Sequence, residues 1–373
     1  MGKRGNGEGS ITRRKDGLYM ARYNVETPTG KKRKTVYGKT REEAHEKLVD
    51  ALANRNKGLV FEGDDQTLEN YLAGWLRGID GTVKQRTLEN YAYVVNTHIV
   101  PGLGKTKLKN LKPEKVRALI RDERGSGLSS RTVQLIHTVL GKALKDAVQD
   151  EILHRNVATA VRPPKRNKKE MHPLTPEQSR LFLDIAKKDR HHALYVVAVT
   201  AGLREGELLG LWWEDVDLDA GKLAVKRQLT RTKDGLSFTT PKRGKTRSVR
   251  LTGHAVAALK DHRKRQLEER LAAGPFWREN DLVFASTVGT PVDVSNLTYR
   301  SFRPLLERAG LPRIRFHDLR HTCATILLGK GTHPKIVQEM LGHATITQTM
   351  DTYSHVLPDM QDGAVSAMQE ALS

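Results

Sequence analysis

Hydrophobic and polar positions in the first segment, residues 1–63, alternate over three short runs separated by turn signals. These runs lie at residues 9–14, 18–25 and 32–37. After them, Thr40 and Glu43 form a capping box that opens a helix predicted to end near Lys57. The pattern therefore predicts a three-stranded sheet with one helix behind it.

The second segment, residues 64–163, has apolar residues at three- and four-residue spacing, which predicts helices. The predicted helices are TLENYLAGWLRGI, TLENYAYVVNTHIVPGLG, PEKVRALIRDERGSG and SSRTVQLIHTVLGKALKDAVQDEIL. Both copies of TLENY, at 67–71 and 87–91, are interpreted as capping boxes that open helices. We expect a helical bundle that ends at the proline- and lysine-rich linker 161–169.

The third segment, residues 164–373, contains both periodicities. Thr175 as an N-cap with Pro176 at the first helical position predicts a helix start. One β region is predicted, with strands at 222–231, 236–240 and 247–251. The whole chain is thus predicted to be mainly α with small β-sheets, an α+β protein with domains at 1–63, 64–163 and 164–373.

Composition adds a polyanionic partner to this picture. The chain has 64 Lys and Arg against 43 Asp and Glu, a formal net charge of +21 and a pI near 10.0. Such an excess favours nucleic acid and less often a membrane surface. Because basic residues recur along the whole chain, we expect nucleic acid, with an ordinary basic protein as the alternative.

Basic residues are dense in the predicted strands of the first segment. They are Arg13, Arg14, Arg22, Lys31, Lys32, Arg33 and Lys34. Their charge is sufficient to lay one face of the sheet against DNA, and a solvated basic surface is the alternative. The tentative DNA-binding set is Arg13, Arg14, Arg22, Lys32 and Lys34.

Neither secretion nor membrane insertion is expected. No apolar run approaches the roughly 18 residues of a membrane-spanning helix, and no apolar stretch follows the basic N-terminus. The single cysteine, Cys323, cannot form an internal disulfide, which fits a reducing cytoplasm. We interpret it as a small core residue.

Four stretches of the third segment carry candidate chemistry. They are TAGLREGELLGLWWEDVD, TTPKRGKTRSVRL, FHDLRHTCATILL and MLGHATITQTMDTYSHV. Taken singly, Arg204 fits a helix-surface ion pair and Lys242 a solvated turn. His317 and His321 have the spacing of metal ligands, but the arginine between them, Arg320, disfavours a bound cation.

Taken together, the same residues suit a phosphate. Two arginine forks each meet two phosphate oxygens and stabilise the charge of a pentacoordinate transition state. A tyrosine hydroxyl, with a pKa of about 10, needs such a centre before it attacks usefully. A turn lysine can protonate the leaving 5′ oxygen. These groups form a complete phosphoryl-transfer site with no metal and no other cofactor.

The order and spacing of these residues resemble the tyrosine recombinases, and in particular the integrases of bacteriophages and integrative elements. The matching motifs are G-L-R-x-G-E-L, H-D-L-R-H-T and L-G-H-x-x-I-x-x-T-x-x-x-Y. The resemblance implies Tyr353 as nucleophile and Glu207 as a supporting residue. It implies an activating set of Arg204, Lys242, His317, Arg320 and His343, with Lys245 on the same turn as the alternative to Lys242.

The resemblance also implies a reaction and partners. Tyr353 would form a 3′-phosphotyrosyl link at double-stranded DNA attachment sites, within a homotetramer on two duplexes in the bacterial cytoplasm at the nucleoid. The second segment resembles a core-binding domain and the first an arm-binding domain, and DNA-bending or directionality proteins would assist. A type IB topoisomerase, a telomere resolvase, a resolving or inverting recombinase and a catalytically silent DNA-binding regulator are the alternatives.

Overall fold

The computed structural model describes residues 9–27, 30–56, 66–165, 171–241, 244, 246–353, 365 and 368–373. The chain divides into two compact units, Met1–Lys168 and Lys169–Ser373. The first unit contains two separate hydrophobic clusters, and the second contains one large cluster with a smaller one. No helix within the described ranges is long and apolar enough to cross a membrane.

A small antiparallel sheet with one helix opens the first unit. Its elements are β1 (Ser10–Arg13), β2 (Tyr19–Thr27), β3 (Gly30–Gly38) and α1 (Arg41–Asn56). Ala21 and Tyr23 of β2 are buried with Leu48 of α1, so the helix covers one face of the sheet. Thr40 accepts the backbone N–H of Glu43 at 3.1 Å, and this confirms the predicted helix start.

The strand register separates the basic residues that we expected on one sheet face. Arg22 alternates with buried residues of β2 and lies on the open face, whereas Lys34 is paired with the buried Tyr23 and belongs to the face that packs on α1. Arg13 shares the register of that covered face. The expectation of a single basic face was wrong, because side chains alternate between the two faces.

The remaining two residues of this tentative set are Arg14 and Lys32. Arg14 follows β1, where it pairs with Asp16 at 3.3 Å and lies 5.5 Å from the ring centroid of Tyr37. The side chain of Lys32 lies outside the described residues. DNA binding by the set remains a prediction.

A helical bundle completes the first unit. Its helices are α2 (Leu68–Gly78), α3 (Gln85–Val94), a π-helical turn (Val95–Ile99), α4 (Val100–Leu103), α5 (Pro113–Gly125) and α6 (Ser130–Gln149). Tyr71 of α2 donates its hydroxyl to the Ala143 carbonyl at 2.7 Å, and Trp75 donates its indole N–H to Asp146 at 2.7 Å. Both aromatic rings are therefore buried with their polar ends paired, and they join α2 to α6.

One predicted helix start in this bundle was wrong. The first TLENY does begin a helix, since Thr67 accepts the N–H of Asn70. The second lies inside α3, which begins at Gln85 after Lys84, so Thr87 is not a cap. An identical five-residue string thus takes two roles, because the helix extends to wherever its apolar face finds a partner.

The second unit is built around one buried helix. Its helices are α7 (Pro176–Ala186), α8 (His192–Ala201), α9 (Glu205–Leu209), α10 (Gly253–Ala273), α11 (Val294–Leu297), α12 (Arg303–Arg308), α13 (Phe316–Gly329), α14 (Pro334–Leu341) and α15 (Ile346–Tyr353). Nearly every residue of α8 is buried, as its apolar composition on all sides requires. Thr175 and Gln178 form the capping box of α7.

The β region of this unit differs from the prediction. Its strands are β4 (Val216–Asp217), β5 (Lys222–Val225), β6 (Gln228–Thr232), β7 (Gly235–Thr239) and β8 (Arg247–Arg250). They form one sheet of order β4-β5-β8 and a separate β6-β7 hairpin. The strand predicted at 222–231 is interrupted at Lys226 and Arg227. Their side chains form ion pairs with the buried Asp215, at 2.8 Å for Lys226 and 2.7 Å for Arg227.

Candidate active site

The predicted residue Arg204 lies at the junction between α8 and α9. It is the N-cap residue of α9, and its backbone N–H donates to Glu207 Oε2 at 3.0 Å. Its guanidinium donates Nη1 to Glu207 Oε1 at 2.6 Å and Nη2 to the Gly342 carbonyl at 3.0 Å. The side chain is held by Glu207 of the same helix and by the distant Gly342, and it stays partly exposed.

Glu207 is the buried acceptor for two arginines. Besides Arg204 it binds Arg247 of β8, which donates Nη2 to Oε2 at 2.6 Å and Nη1 to Oε1 at 3.1 Å. Burial alone would raise the pKa of Glu207, but the hydrogen bonds and charge of Arg247, with the charge of Arg204, lower that pKa to about 2. The carboxylate is therefore ionised and fully engaged.

Two glycines lie where the backbone packs so closely against neighbouring side chains that a Cβ would not fit. Gly202 ends α8 with φ +61°, and a Cβ there would lie 2.5 Å from a methyl group of Leu341. Gly342 ends α14 with φ +67°, and a Cβ there would lie 3.0 Å from the Arg247 guanidinium. Both positions need the left-handed conformation and the absence of a side chain.

Arg320 of α13 is the most deeply buried cation of the site, with 2% of its surface exposed. It donates Nη1 to the Gly202 carbonyl at 2.8 Å, whereas its buried Nη2 has no hydrogen-bond partner among the described residues. Burial and the charge of Arg204 lower the pKa of Arg320 to about 9, so the guanidinium stays charged at neutral pH. An unpaired charged donor of this kind is costly without a ligand.

Histidines surround this cation. His317 and His321 lie edge to face on α13 with ring centroids 4.9 Å apart. Part of His317 remains exposed, but desolvation of its ring and the charges of His321 and Arg320 lower its pKa to about 4. His343 donates to or accepts from Thr349 Oγ1 at 2.9 Å, and burial with the charge of Arg320 lowers its pKa to about 3.

Tyr353 is the last residue of α15 and is 1% exposed. Its hydroxyl lies 2.7 Å from His321 Nδ1, and its ring stacks on His343 at 6.4 Å with an interplanar angle of 10°. Burial raises the pKa of Tyr353 to about 12, although the charge of Arg320 acts to lower it. The phenol is therefore protonated in the resting site.

Comparison with known proteins identifies this arrangement. The sequence profile of the phage integrase family matches residues 172–360, and the N-terminal SAM-like domain of phage integrases matches residues 67–122. This chain belongs to the phage integrase family. It is a tyrosine-type recombinase and a site-specific integrase, as its motifs predicted.

Two curated relatives span most of the recombinase. A tyrosine recombinase XerC-like protein of Caldanaerobacter subterraneus subsp. tengcongensis is 31% identical, over 91% of this chain and 92% of the relative. An integrase of Streptomyces ambofaciens is 32% identical, over 91% of this chain and 89% of the relative. Both relatives carry names that agree with the family.

Solved integrases share the fold. The Tn1549 transposon integrase in complex with a circular intermediate DNA superposes with a TM-score of 0.69 at 24% identity, over 82% of this chain and 99% of that one. A lambda integrase tetramer bound to a Holliday junction gives 0.58 at 22% identity, over 91% and 96%. These likenesses confirm the predicted fold class.

Not every predicted site residue can be placed in the recombinase. Lys242 and Lys245 both lie outside the described residues, so the choice between them stays open. Arg204, Glu207, His317, Arg320, His343 and Tyr353 are all described, and the contacts above bring them into one connected site. Within the described part of the chain, no group of three or more His, Cys, Asp or Glu side chains is arranged to hold a metal ion. Cys323 is buried, as predicted.

Sequence reasoning missed Arg247 and the contact of His321. Arg247 shares the inward face of β8 with the buried Val249, so an arginine at a core-facing position of an alternating strand was the available signal. His321 has helical spacing from His317, but nothing local indicates that it meets Tyr353, which lies 32 residues further along the chain.

The ion-pair geometry predicts the pH dependence of stability. Because Glu207 has its pKa lowered from 4.5 to about 2, its contribution is fully present above pH 4.5 and is lost as the pH falls through the folded value. We expect Glu207→Gln to lower the free energy of unfolding by about 3–5 kcal/mol at neutral pH, since two partly buried arginines lose their buried charged partner. The difference from wild type should shrink below pH 4.5.

Urea unfolding of both proteins between pH 7 and pH 3 measures this difference. Glu339→Gln is the matched control, because Glu339 is exposed and pairs with Lys335 on the surface of α14. An equal, small loss in the two variants would contradict the role given to Glu207.

Proposed function

We propose that this recombinase cuts and rejoins double-stranded DNA at attachment sites, with Tyr353 as the nucleophile on the scissile phosphate. One observation carries the proposal. Consecutive residues of α13 supply a buried guanidinium with an unpartnered nitrogen, on Arg320, and a histidine 2.7 Å from the Tyr353 hydroxyl. A phosphate oxygen is the ligand that such a donor prefers beside a nucleophile.

The charge balance of the site supports a phosphate ligand. Glu207 is saturated by Arg204 and Arg247, so it offers no free carboxylate to repel an anion. The guanidinium of Arg204 is bound to Glu207 on one side, and 24% of the side chain remains accessible to solvent. Arg204 and Arg320 thus supply two charged forks for the oxygens of a pentacoordinate transition state.

The proposed reaction exchanges one phosphoester for another. The Tyr353 oxygen forms a bond to phosphorus, the bond to the 5′ oxygen breaks, and a 3′-phosphotyrosyl link results. Lys242 of the turn between β7 and β8 protonates the leaving oxygen, by the family resemblance. The 5′-hydroxyl of a partner duplex then attacks the link and releases the tyrosine, with His317 and His343 lining the site.

Relatives support the proposed assembly. The Tn1549 integrase was solved on DNA and the lambda integrase as a tetramer on a Holliday junction. By likeness we infer a homotetramer on two duplexes, in the bacterial cytoplasm at the nucleoid, assisted by DNA-bending or directionality proteins. Residues 1–63, 64–163 and 164–373 would serve as arm-binding, core-binding and catalytic domains.

Tyr353→Phe tests the nucleophile. The variant lacks the attacking oxygen, so we expect normal binding to an attachment-site duplex and no covalent adduct on a nicked suicide duplex. Denaturing gel electrophoresis detects the adduct. Tyr93→Phe is the matched control, because Tyr93 is 60% exposed on α3, and it should form adduct at the wild-type rate. Adduct formation by Tyr353→Phe would move the nucleophile to another residue.

Arg204→Ala tests the transition-state donor. Loss of one such donor should slow cleavage by about 10²–10³-fold or more while DNA affinity changes little. Single-turnover cleavage and gel-shift titration separate the two effects. Arg270→Ala, which removes an exposed arginine paired with Glu279, should cleave normally. A variant of Arg204 that cleaves within a few-fold of wild type would exclude the assigned role.

The C-terminal residues test the assembly. Val365, Met368 and Leu372 are 57%, 60% and 80% exposed, and we propose that this apolar set docks on a neighbouring protomer. Truncation after Pro358 should leave single-site binding intact and abolish the tetrameric complex in sedimentation experiments. A full-length protein with the three residues changed to glutamine should behave like the truncation. Formation of the tetrameric complex by either protein at the wild-type level would contradict the docking hypothesis.

A further inference from the structure

His321 has a contact that the activating set does not explain. Its Nδ1 lies 2.7 Å from the Tyr353 hydroxyl, and this is the one hydrogen bond that the described residues offer to that oxygen. Its neighbour Arg320 faces the Gly202 carbonyl instead. The two consecutive side chains of α13 thus have different positions. Arg320 lies beside the proposed phosphate position, and His321 contacts the proposed nucleophile.

The protonation states of the two groups and their surroundings favour one direction for this hydrogen bond. Burial raises the pKa of Tyr353 to about 12, so the phenol keeps its proton at neutral pH. Burial, outweighing the opposing charge of Asp318, lowers the pKa of His321 below 6.5, so the imidazole is neutral. Either neutral group could donate, but the phenol proton has no other described acceptor, so we assign the phenol as the donor to Nδ1 and place the imidazole proton on Nε2.

No other base of the described site forms a hydrogen bond with the Tyr353 hydroxyl. His343 stacks on the Tyr353 ring, but its Nδ1 is hydrogen-bonded to Thr349 Oγ1 at 2.9 Å. Glu207 is saturated by two arginines. His317 meets the ring of His321 edge to face, with centroids 4.9 Å apart. Among the described residues, His321 alone combines a free basic nitrogen with contact to the hydroxyl.

We propose that His321 accepts the Tyr353 proton as the tyrosine attacks, and returns it when the tyrosine is displaced. This role rests on the proposed function. As the Oη–P bond forms, the phenolic proton moves to Nδ1 of His321 and the P–O5′ bond breaks; the leaving oxygen takes its proton separately, from Lys242. In rejoining, the imidazolium protonates the departing Tyr353 oxygen.

The surroundings of His321 suit a transient imidazolium. On its own helix it faces Asp318, which favours the charge, and Arg315, Arg320 and His317, which oppose it. From the other elements it faces Tyr353 and His343. Burial and these cations keep the resting imidazole neutral, and the charge of a bound phosphate would offset the cations once DNA is present.

A sulfur substrate separates this proton transfer from the one at the leaving group. In a suicide duplex whose bridging 5′ oxygen is replaced by sulfur, the leaving thiolate needs no protonation, because a thiol has a pKa of only about 8.5. Cleavage of this duplex should therefore no longer need Lys242 and should still need His321. The variants are His321→Ala, His321→Gln and Lys242→Ala, each in the full-length protein.

We expect both His321 variants to cleave the oxygen and the sulfur duplex about 10²–10⁴-fold more slowly than wild type. Glutamine keeps an acceptor for the phenol but cannot carry its proton, so it should not rescue. Lys242→Ala should be slow on oxygen and near wild type on sulfur. With the sulfur duplex, the wild-type rate should fall at acid pH, as the imidazole of His321 becomes protonated, whereas the rate of His321→Gln should rise steadily with pH.

Two results would overturn the proposal. If His321→Gln cleaved the sulfur duplex at the wild-type rate, His321 would have only a positioning role. If the sulfur duplex restored the cleavage rate of His321→Ala, His321 would act on the leaving group. DNA affinity and thermal unfolding confirm that the variants fold. His254→Gln, at an exposed histidine of α10, is the matched control. Adduct formation by Tyr353→Phe would refute the proposed function itself and is therefore distinguishable.

Discussion

One buried carboxylate holds the active site together. Glu207 accepts hydrogen bonds from Arg204 and Arg247, and these arginines reach on to the carbonyls of Gly342 and Met340. The N-terminus of α9, strand β8 and the end of α14 are thereby joined at one point. Burying three charges is costly, and only saturated geometry offsets that cost. The cluster thereby fixes Arg204 and the turn at Gly342, which directly precedes His343.

The cluster also determines the electrostatic character of the site. The charge of Glu207 is balanced by its two arginines, so it does not favour protonation of the histidines. Burial, reinforced by the neighbouring positive charges, lowers the pKa values of His317 and His343, and both are neutral in the resting site. Neutral histidines beside fixed arginines can donate or accept a proton without a change in the anchoring charges.

Helix α13 distributes these roles along a single turn. Arg320 is anchored to the αL turn at Gly202, so its second nitrogen has no protein partner in the described structure. The next residue, His321, holds the hydroxyl of Tyr353. The candidate site therefore holds the proposed nucleophile and the proposed proton acceptor in direct contact. The proton for the leaving group would come from a different segment, the turn that carries Lys242.

Much of this protein could be predicted from local signals in its sequence. Caps and periodicity predicted most elements, because a residue such as Thr175 acts on neighbours three positions away. Motif spacing predicted Arg204, Arg320 and Tyr353, because the chemistry of phosphate demands those side chains. The local string TLENY was misleading at residue 87, where helix length depends on packing.

By itself, then, the sequence determined the fold class, the family and the residue types of the site. The tertiary structure alone decided that Arg247 completes the Glu207 cluster, that basic residues of the first sheet lie on two faces, and that His321 meets Tyr353. The physical reason is distance along the chain. Arg204 and Gly342 are 138 residues apart, and no local periodicity encodes a contact of that separation.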